Sequence, residues 1–199
     1  RMLVEHIAES SHGDIASIAD SLNRFGLADM AYLVDQASGR SIFLDQLDTL
    51  SRDAATLEAA MHQAIQSNLW IFGPSFSLFS SNQTLKRQVE DYLKQKYKGT
   101  NADKRPDLLL NEDLNGEYLL IEFKRPAHTL KYNDYQQATK YRNEFAGYVS
   151  KPIRLMLIGG HRADDLPKTY SEPGVEVLVF SEVISTARRQ VQWLLRTSD

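Results

Sequence analysis

Two short runs in this chain hold residue types that can do chemistry together: Pro106-Asp107 and Glu122-Phe123-Lys124. Two carboxylates facing one point repel each other unless a cation sits between them. Hard oxygen donors with room for water suit Mg²⁺ or Mn²⁺. Such an ion polarises a phosphoryl oxygen and lowers the pKa of a bound water. A lysine beside it can orient that water or offset charge developing on the phosphate. The chemistry implied is hydrolysis of a phosphodiester. A Glu-x-Lys triplet alone is common and usually forms a surface ion pair worth about 0–1 kcal/mol. The reading therefore depends on which elements position these residues.

Asn115-Gly116 is a strong hairpin signal, and it predicts strands over Arg105–Glu112 and Glu117–Arg125. Side chains alternate along a strand. Glu122 and Lys124 therefore share one face, and Ile121 and Phe123 turn the other way into a core. With a four-residue loop, Asp113–Gly116, Asp107 falls opposite Glu122. With a turn of Asn115-Gly116 alone, it falls opposite Lys124 and diagonal to Glu122. Both registers put Asp107 on the face of Glu122 and Lys124, and only a one-residue slip would separate them. The next predicted helix, Tyr132–Tyr148, carries Gln137 and Tyr141 four apart and so on one face. They can contact a phosphate or a metal-bound water; the plainer reading is a core tyrosine with a polar neighbour.

The rest of the chain supplies the scaffold. Residues 2–67 carry helical apolar spacing, with Gly26 and Gly39 as expected helix ends and a helix over Ala54–Gln66. Leu69–Phe72 and Phe76–Phe79 suggest a first strand, and Thr84–Lys98 a charged helix. Ile153–Gly159 and Val175–Phe180 are strand-type runs, and Glu182–Leu195 is a closing amphipathic helix. This order predicts an α/β domain over residues 54–199 behind a helical segment over residues 1–53. His161 ends a strand and could reach the site, although a turn residue is the simpler reading. His128 is a loop residue that could touch DNA. Asp164-Asp165 reads as a helix start, and Trp70 and Trp193 read as core.

Composition narrows the function classes. There is no cysteine, which removes disulfides, thiol nucleophiles and thiolate zinc sites and fits a cytoplasmic protein. No apolar run approaches the roughly 18 residues of a membrane span, and no secretory signal is read. Arg1 before Met2 suggests a piece of a larger, multidomain protein. Charge is uneven. Residues 1–80 hold 4 basic and 10 acidic residues, whereas residues 81–199 hold 19 basic and 16 acidic. The basic groups concentrate in Lys86, Arg87, Lys94, Lys96, Lys98, Lys104 and Arg105, then Lys124, Arg125, Lys131, Lys140 and Arg142. A phosphate backbone could use them; solvated helix faces are the alternative.

Pro106-Asp107, Glu122-Phe123-Lys124 and Gln137-x-x-x-Tyr141 together resemble the PD-(D/E)xK nuclease superfamily, in its branch with a Gln-x-x-x-Tyr helix. Within it, LEAAMHQAIQSNLWIF (Leu57–Phe72), RPDLLL and YLLIEFKRP resemble the Shedu antiphage nuclease domain. The resemblance covers roughly residues 54–145, with weaker support to 180. It implies a restriction-endonuclease-like core with a central mixed sheet flanked by helices. It implies Mg²⁺ (or Mn²⁺) held by Asp107, Glu122 and the backbone carbonyl of Phe123, with Lys124 as the catalytic lysine and Gln137 in the active site. A supporting glutamate is also implied. Glu58 and Glu90 both qualify; Glu58 is favoured because Thr84–Lys98 then reads as an insertion between the first two strands. Tyr141, Arg125 and His161 are candidates for support or DNA contact. The implied activity is that of a DNA endonuclease in bacterial phage defence, working as a homo-oligomer. The alternative is a catalytically silent module that binds nucleic acid, assembles oligomers or senses a signal.

Overall fold

Tyr118–Phe123 (β3) is buried at all six positions, and the sheet is built outward from it. The computed structural model describes residues 26–73, 76–81, 83–100, 102–104, 106–112, 116–166 and 172–196. On one side of β3 lie Leu108–Glu112 (β2) and then Phe76–Ser81 (β1), both pairings antiparallel. On the other lie Ile153–Gly159 (β5) and then Val175–Val179 (β7), both parallel. The order β1-β2-β3-β5-β7 makes a mixed five-stranded sheet. A second, two-stranded parallel pair joins Thr129–Leu130 (β4) to His161–Arg162 (β6). β5 is covered on both faces, which is why it reads as a continuous apolar run rather than an alternating one.

Flanking helices are Leu27–Arg52 (α1), Glu58–Gln66 (α2), Tyr132–Ala146 (α4) and Phe180–Arg196 (α5). A single α-turn, Leu85–Arg87 (α3), runs into a π-helical segment, Gln88–Tyr92. The α4 helix turns Tyr135, Ala138, Tyr141 and Phe145 onto a core that includes Leu109, Tyr118, Leu120, Leu155 and Leu157. The alternate residues of the hairpin, Leu108, Leu110, Leu119, Ile121 and Phe123, are fully buried on the opposite face. There α2 lies against β3, with the His62 and Phe123 ring centroids 6.1 Å apart. The chain divides into two compact units: Leu44–Arg188, and the residues up to Phe43 together with those from Arg189 on. Both cuts fall inside helices, and every strand belongs to the larger unit. No helix among the described residues is long and apolar enough to cross a membrane.

Several expected elements differ. Gly39 lies inside α1 rather than at a helix end. A glycine costs about 1 kcal/mol in a helix interior, too little alone to stop one of 26 residues. Gly26, with φ 63°, does stand at the start of α1. Leu69–Phe72 is a 3₁₀ turn, not strand. Its amides reach back three residues, Ile71 to Asn68 and Gly73 to Trp70, so local bonds after α2 override the strand-type composition. The helix expected over Thr84–Lys98 stops at Tyr92. Thr84 caps its start by accepting the Arg87 amide at 3.2 Å, but Lys94 is left-handed, with φ 55°, and the chain leaves the helix there. Trp193 is 65% exposed and Trp70 is half-buried, so neither is the core residue expected. Asp164-Asp165 forms a turn, closed by the Leu166 amide on the Ala163 carbonyl, rather than a helix start.

Candidate active site

The hairpin pairs Leu108 with Ile121, Leu109 with Leu120, Leu110 with Leu119 and Asn111 with Tyr118. This is the register of the four-residue loop. Continued by one residue, it sets Asp107 opposite Glu122. Asp107 sits just ahead of β2, after the buried Pro106, and its Oδ2 accepts the Phe123 amide at 2.6 Å. Lys124 follows β3 directly, and its amide donates to the Ile158 carbonyl at 2.8 Å. Parallel pairing with β5 therefore carries the chain one step further and fixes the direction of the lysine. Its Nζ lies 3.2 Å from Glu122 Oε1. Glu122 is 4% exposed, and its other oxygen, Oε2, is buried with no hydrogen-bond partner among the described residues.

These groups perturb one another strongly. Burial, followed by the Asp107 charge, pushes the Glu122 carboxyl up to about 7, against the opposing pull of Lys124. Burial likewise raises Asp107; the Phe123 amide works against it, Glu58 adds to it, and His62 and Lys124 oppose it. Burial alone would lower Lys124, but Glu122, Glu58 and Asp107 outweigh it and the ammonium is held above its ordinary value. Buried acids with raised pKa values beside a fixed cation mark a candidate functional site.

The α2 helix brings a second layer. Glu58 begins it and bears electrostatically on Asp107, Glu122 and Lys124. Glu90 accepts the Tyr97 amide at 3.4 Å within its own segment and is not among the leading charges acting on the three. One turn after Glu58, His62 sets Nε2 3.1 Å from Ser81 Oγ, and Ser81 donates to Gln66 Oε1 at 2.8 Å. A hydroxyl has one proton. With that proton on Gln66, His62 must donate through Nε2. His62 escaped the sequence reading; its four-residue spacing from Glu58 was the available signal.

On α4, Gln137 Nε2 donates to the Tyr141 hydroxyl at 2.7 Å. Burial raises the Tyr141 pKa; the Gln137 bond opposes this, and the nearby Glu122 charge adds to it. Tyr141 is buried while Gln137 is exposed, so the pair joins the site to solvent. Arg125 is exposed, and its carbonyl accepts the His128 amide at 2.9 Å. His128 is held by Asp134, Nε2 to Oδ2 at 2.9 Å. His161 is exposed in β6 and lines an open cleft with Arg52, Pro126, Arg162 and Asp164, a cleft that Asp107, Glu122 and Lys124 do not line. Gly160 permits the close approach of that turn: a Cβ there would fall on the Pro126 carbonyl.

Among the described residues, no three His, Asp or Glu side chains are grouped as a metal ligand set. The donors here are two carboxylates, with the main chain of Phe123 between Glu122 and Lys124. The buried, unpartnered Glu122 Oε2 and the all-oxygen donor chemistry fit a hard divalent cation.

No family model matches the chain, and no curated protein does. Among solved structures, part of the chain superposes on the crystal structure of a repair endonuclease from Pyrococcus abyssi, with 16% identity and a TM-score of 0.45. The match covers 63% of this chain and 47% of that one, so this chain spans about half the length of the structure it resembles.

Proposed function

We propose that this chain is a metal-dependent DNA endonuclease of the PD-(D/E)xK type, with a restriction-endonuclease-like core. The observation that carries the reading is the arrangement at the end of β3. Glu122 keeps one buried oxygen unpartnered among the described residues, Lys124 holds the other, and Asp107 is anchored across the hairpin on the Phe123 amide. Asp107, Glu122 and the Phe123 carbonyl would hold Mg²⁺ or Mn²⁺. The bound ion would polarise the phosphoryl oxygen and make its coordinated water a better nucleophile at neutral pH.

The protein's own groups do the rest. Lys124 is already charged and directed by Glu122, so it can turn a donor toward a non-bridging phosphate oxygen or the attacking water without reorganisation. The Tyr141 hydroxyl accepts from Gln137, which leaves its own proton free to donate to a phosphate oxygen. Gln137 keeps its carbonyl oxygen free to accept from water. Glu58 serves as the supporting acid, because its charge acts on Asp107, Glu122 and Lys124. The proposal extends to a Shedu-like role in phage defence as a homo-oligomer; its support is the sequence likeness of Leu57–Phe72, RPDLLL and YLLIEFKRP.

The test is cleavage of plasmid and linear duplex DNA with Mg²⁺, with Mn²⁺ and with chelator. Metal-dependent cleavage is expected, falling about 10²–10³-fold in Lys124→Ala and Glu122→Ala while both variants remain folded. Cleavage that persists in both variants would overturn the assignment of roles. The defence role is tested separately by phage plating on cells expressing the wild type or Lys124→Ala.

A further inference from the structure

The segment between the π-helical turn and β2 is built as a comb of ammonium groups. Its base is closed by main-chain bonds, the Leu85 amide to the Lys104 carbonyl at 2.8 Å and the Lys86 amide to the Ala102 carbonyl at 3.3 Å. Past Lys94 every second residue is tied down onto the end of α4. Gln95 Nε2 donates to the Tyr148 carbonyl at 2.8 Å. The Tyr97 ring stacks on Tyr148 with centroids 5.7 Å apart, and its hydroxyl bonds the Glu144 carboxylate. The Lys98 amide donates to the Tyr148 hydroxyl at 2.7 Å. The intervening side chains, Lys94, Lys96 and Lys98, are all exposed, and no described carboxylate forms a salt bridge with them. Lys86 and Lys104 add two more exposed cations at the base.

Ordinary solvated lysines need no such framework. Here two tyrosines and a glutamine hold a non-helical stretch in place, and the only side chains it offers to solvent between Lys94 and Lys98, apart from the anchored Gln95, are cationic. Its attachment at Glu144 lies one helical turn from Tyr141, about 5 Å along α4. Leu85 and Val89 share the core under the Glu122 face of the sheet. The comb is thus anchored on the α4 side of the sheet, the face that carries Glu122, at the end of α4 where Phe145 packs on Tyr118 at the start of β3.

We propose that Lys94, Lys96 and Lys98 form a phosphate-backbone contact for duplex DNA outside the catalytic centre. The surface positions the duplex and reads no bases, because ammonium groups on flexible stems neutralise phosphates without bidentate recognition. This rests on the DNA reading above but makes a separate claim, about binding rather than cleavage.

The test is fluorescence anisotropy of a labelled duplex, with chelator present to prevent cleavage, across a salt series. The wild type, Lys124→Ala and the triple variant K94Q/K96Q/K98Q are compared, and thermal melting confirms that each is folded. The triple variant should lose about tenfold or more in affinity, and its log K against log salt slope should flatten by about 2–3, the size expected for three lost phosphate contacts. Equal affinity and slope for the triple variant and the wild type would overturn the proposal, as would failure of the wild type to bind duplex DNA at low salt. If binding falls as expected but no cleavage is found with any metal, the comb stands and the nuclease reading fails.

Discussion

Asp107 Oδ2 accepts the Phe123 amide at 2.6 Å, so one carboxylate both closes the open end of the β2–β3 hairpin and faces Glu122. The two duties separate by substitution. Asp107→Asn keeps a carbonyl oxygen for the amide and loses the negative charge; Asp107→Ala loses both. The asparagine variant should melt near the wild type yet lose about 10²-fold or more of metal-dependent cleavage. The alanine variant should be equally inactive and less stable by about 1–3 kcal/mol, as expected for an unpaired buried amide. Calorimetry beside a cleavage assay checks this. An inactive Asp107→Ala with undiminished stability would contradict the anchoring role.

The Glu122 carboxyl, pushed up to about 7 from 4.5, gives the metal-free protein a defined pH response. The folded state holds this proton more tightly than the unfolded chain does. Stability from this group is therefore greatest below about pH 4.5, declines as pH rises toward 7, and levels off above it. Asp107 is shifted in the same direction. Melts in chelator should fall over this window, Glu122→Gln should flatten the fall, and Mg²⁺ should offset it by favouring the ionised carboxylate. An unchanged slope in Glu122→Gln would exclude Glu122 as the origin.

Tyr141→Phe removes the acceptor of Gln137 Nε2 and a hydroxyl beside Glu122. Stability should change little, since Gln137 is exposed and can turn to water. The cleavage rate should drop about tenfold, the worth of one hydrogen bond made in the transition state, with KM little altered. Steady-state kinetics on a short duplex separates the two. A change confined to KM would place Tyr141 in binding alone.

Gly160→Ala tests how the turn after β3 is held. Its Cβ would meet the Pro126 carbonyl and the backbone beside it, which cannot yield as a flexible side-chain tip can. A loss of about 1–3 kcal/mol is expected. Cleavage should fall too, because the Lys124–Pro126 backbone must shift. Thermal melting and activity at a temperature where the variant stays folded provide the check.

The hairpin was the most legible part of the sequence because strand parity tolerates error. Either plausible loop length left Asp107, Glu122 and Lys124 on one face, and the structure selects the four-residue loop. The run of buried residues in β5 and the Gln137–Tyr141 spacing were legible for similar reasons of period. The departures arose where local bonding outweighed composition. Leu69–Phe72 looks like strand by residue type, yet its amides continue the turns of α2. The helix after Thr84 ends early, at Tyr92, and the chain beyond the left-handed Lys94 is held instead by Tyr97 on Tyr148 and Glu144, far along the chain. A local bond from the Tyr97 amide occupies the Glu90 carboxylate. The sequence favoured Glu58 over Glu90 only through the order of elements; the charge of Glu58 on Asp107, Glu122 and Lys124 depends on residues tens of positions away and could not be read from it.

The register of β2 against β3 also sets where the gene can change length. Asp107 and Lys124 bracket a single 18-residue stretch whose middle, between Glu112 and Tyr118, lies outside the paired strands. Added or lost codons there would alter loop entropy by a fraction of a kcal/mol per doubling of length and leave the facing of all three residues intact. A single-codon insertion between Tyr118 and Glu122 would rotate the carboxylate to the far side of the sheet, against α2, and carry Phe123 out of its core. Two neighbouring stretches of one hairpin thus differ sharply in their tolerance to frame-preserving indels, and homologous chains should vary in length in the first and hold it fixed in the second.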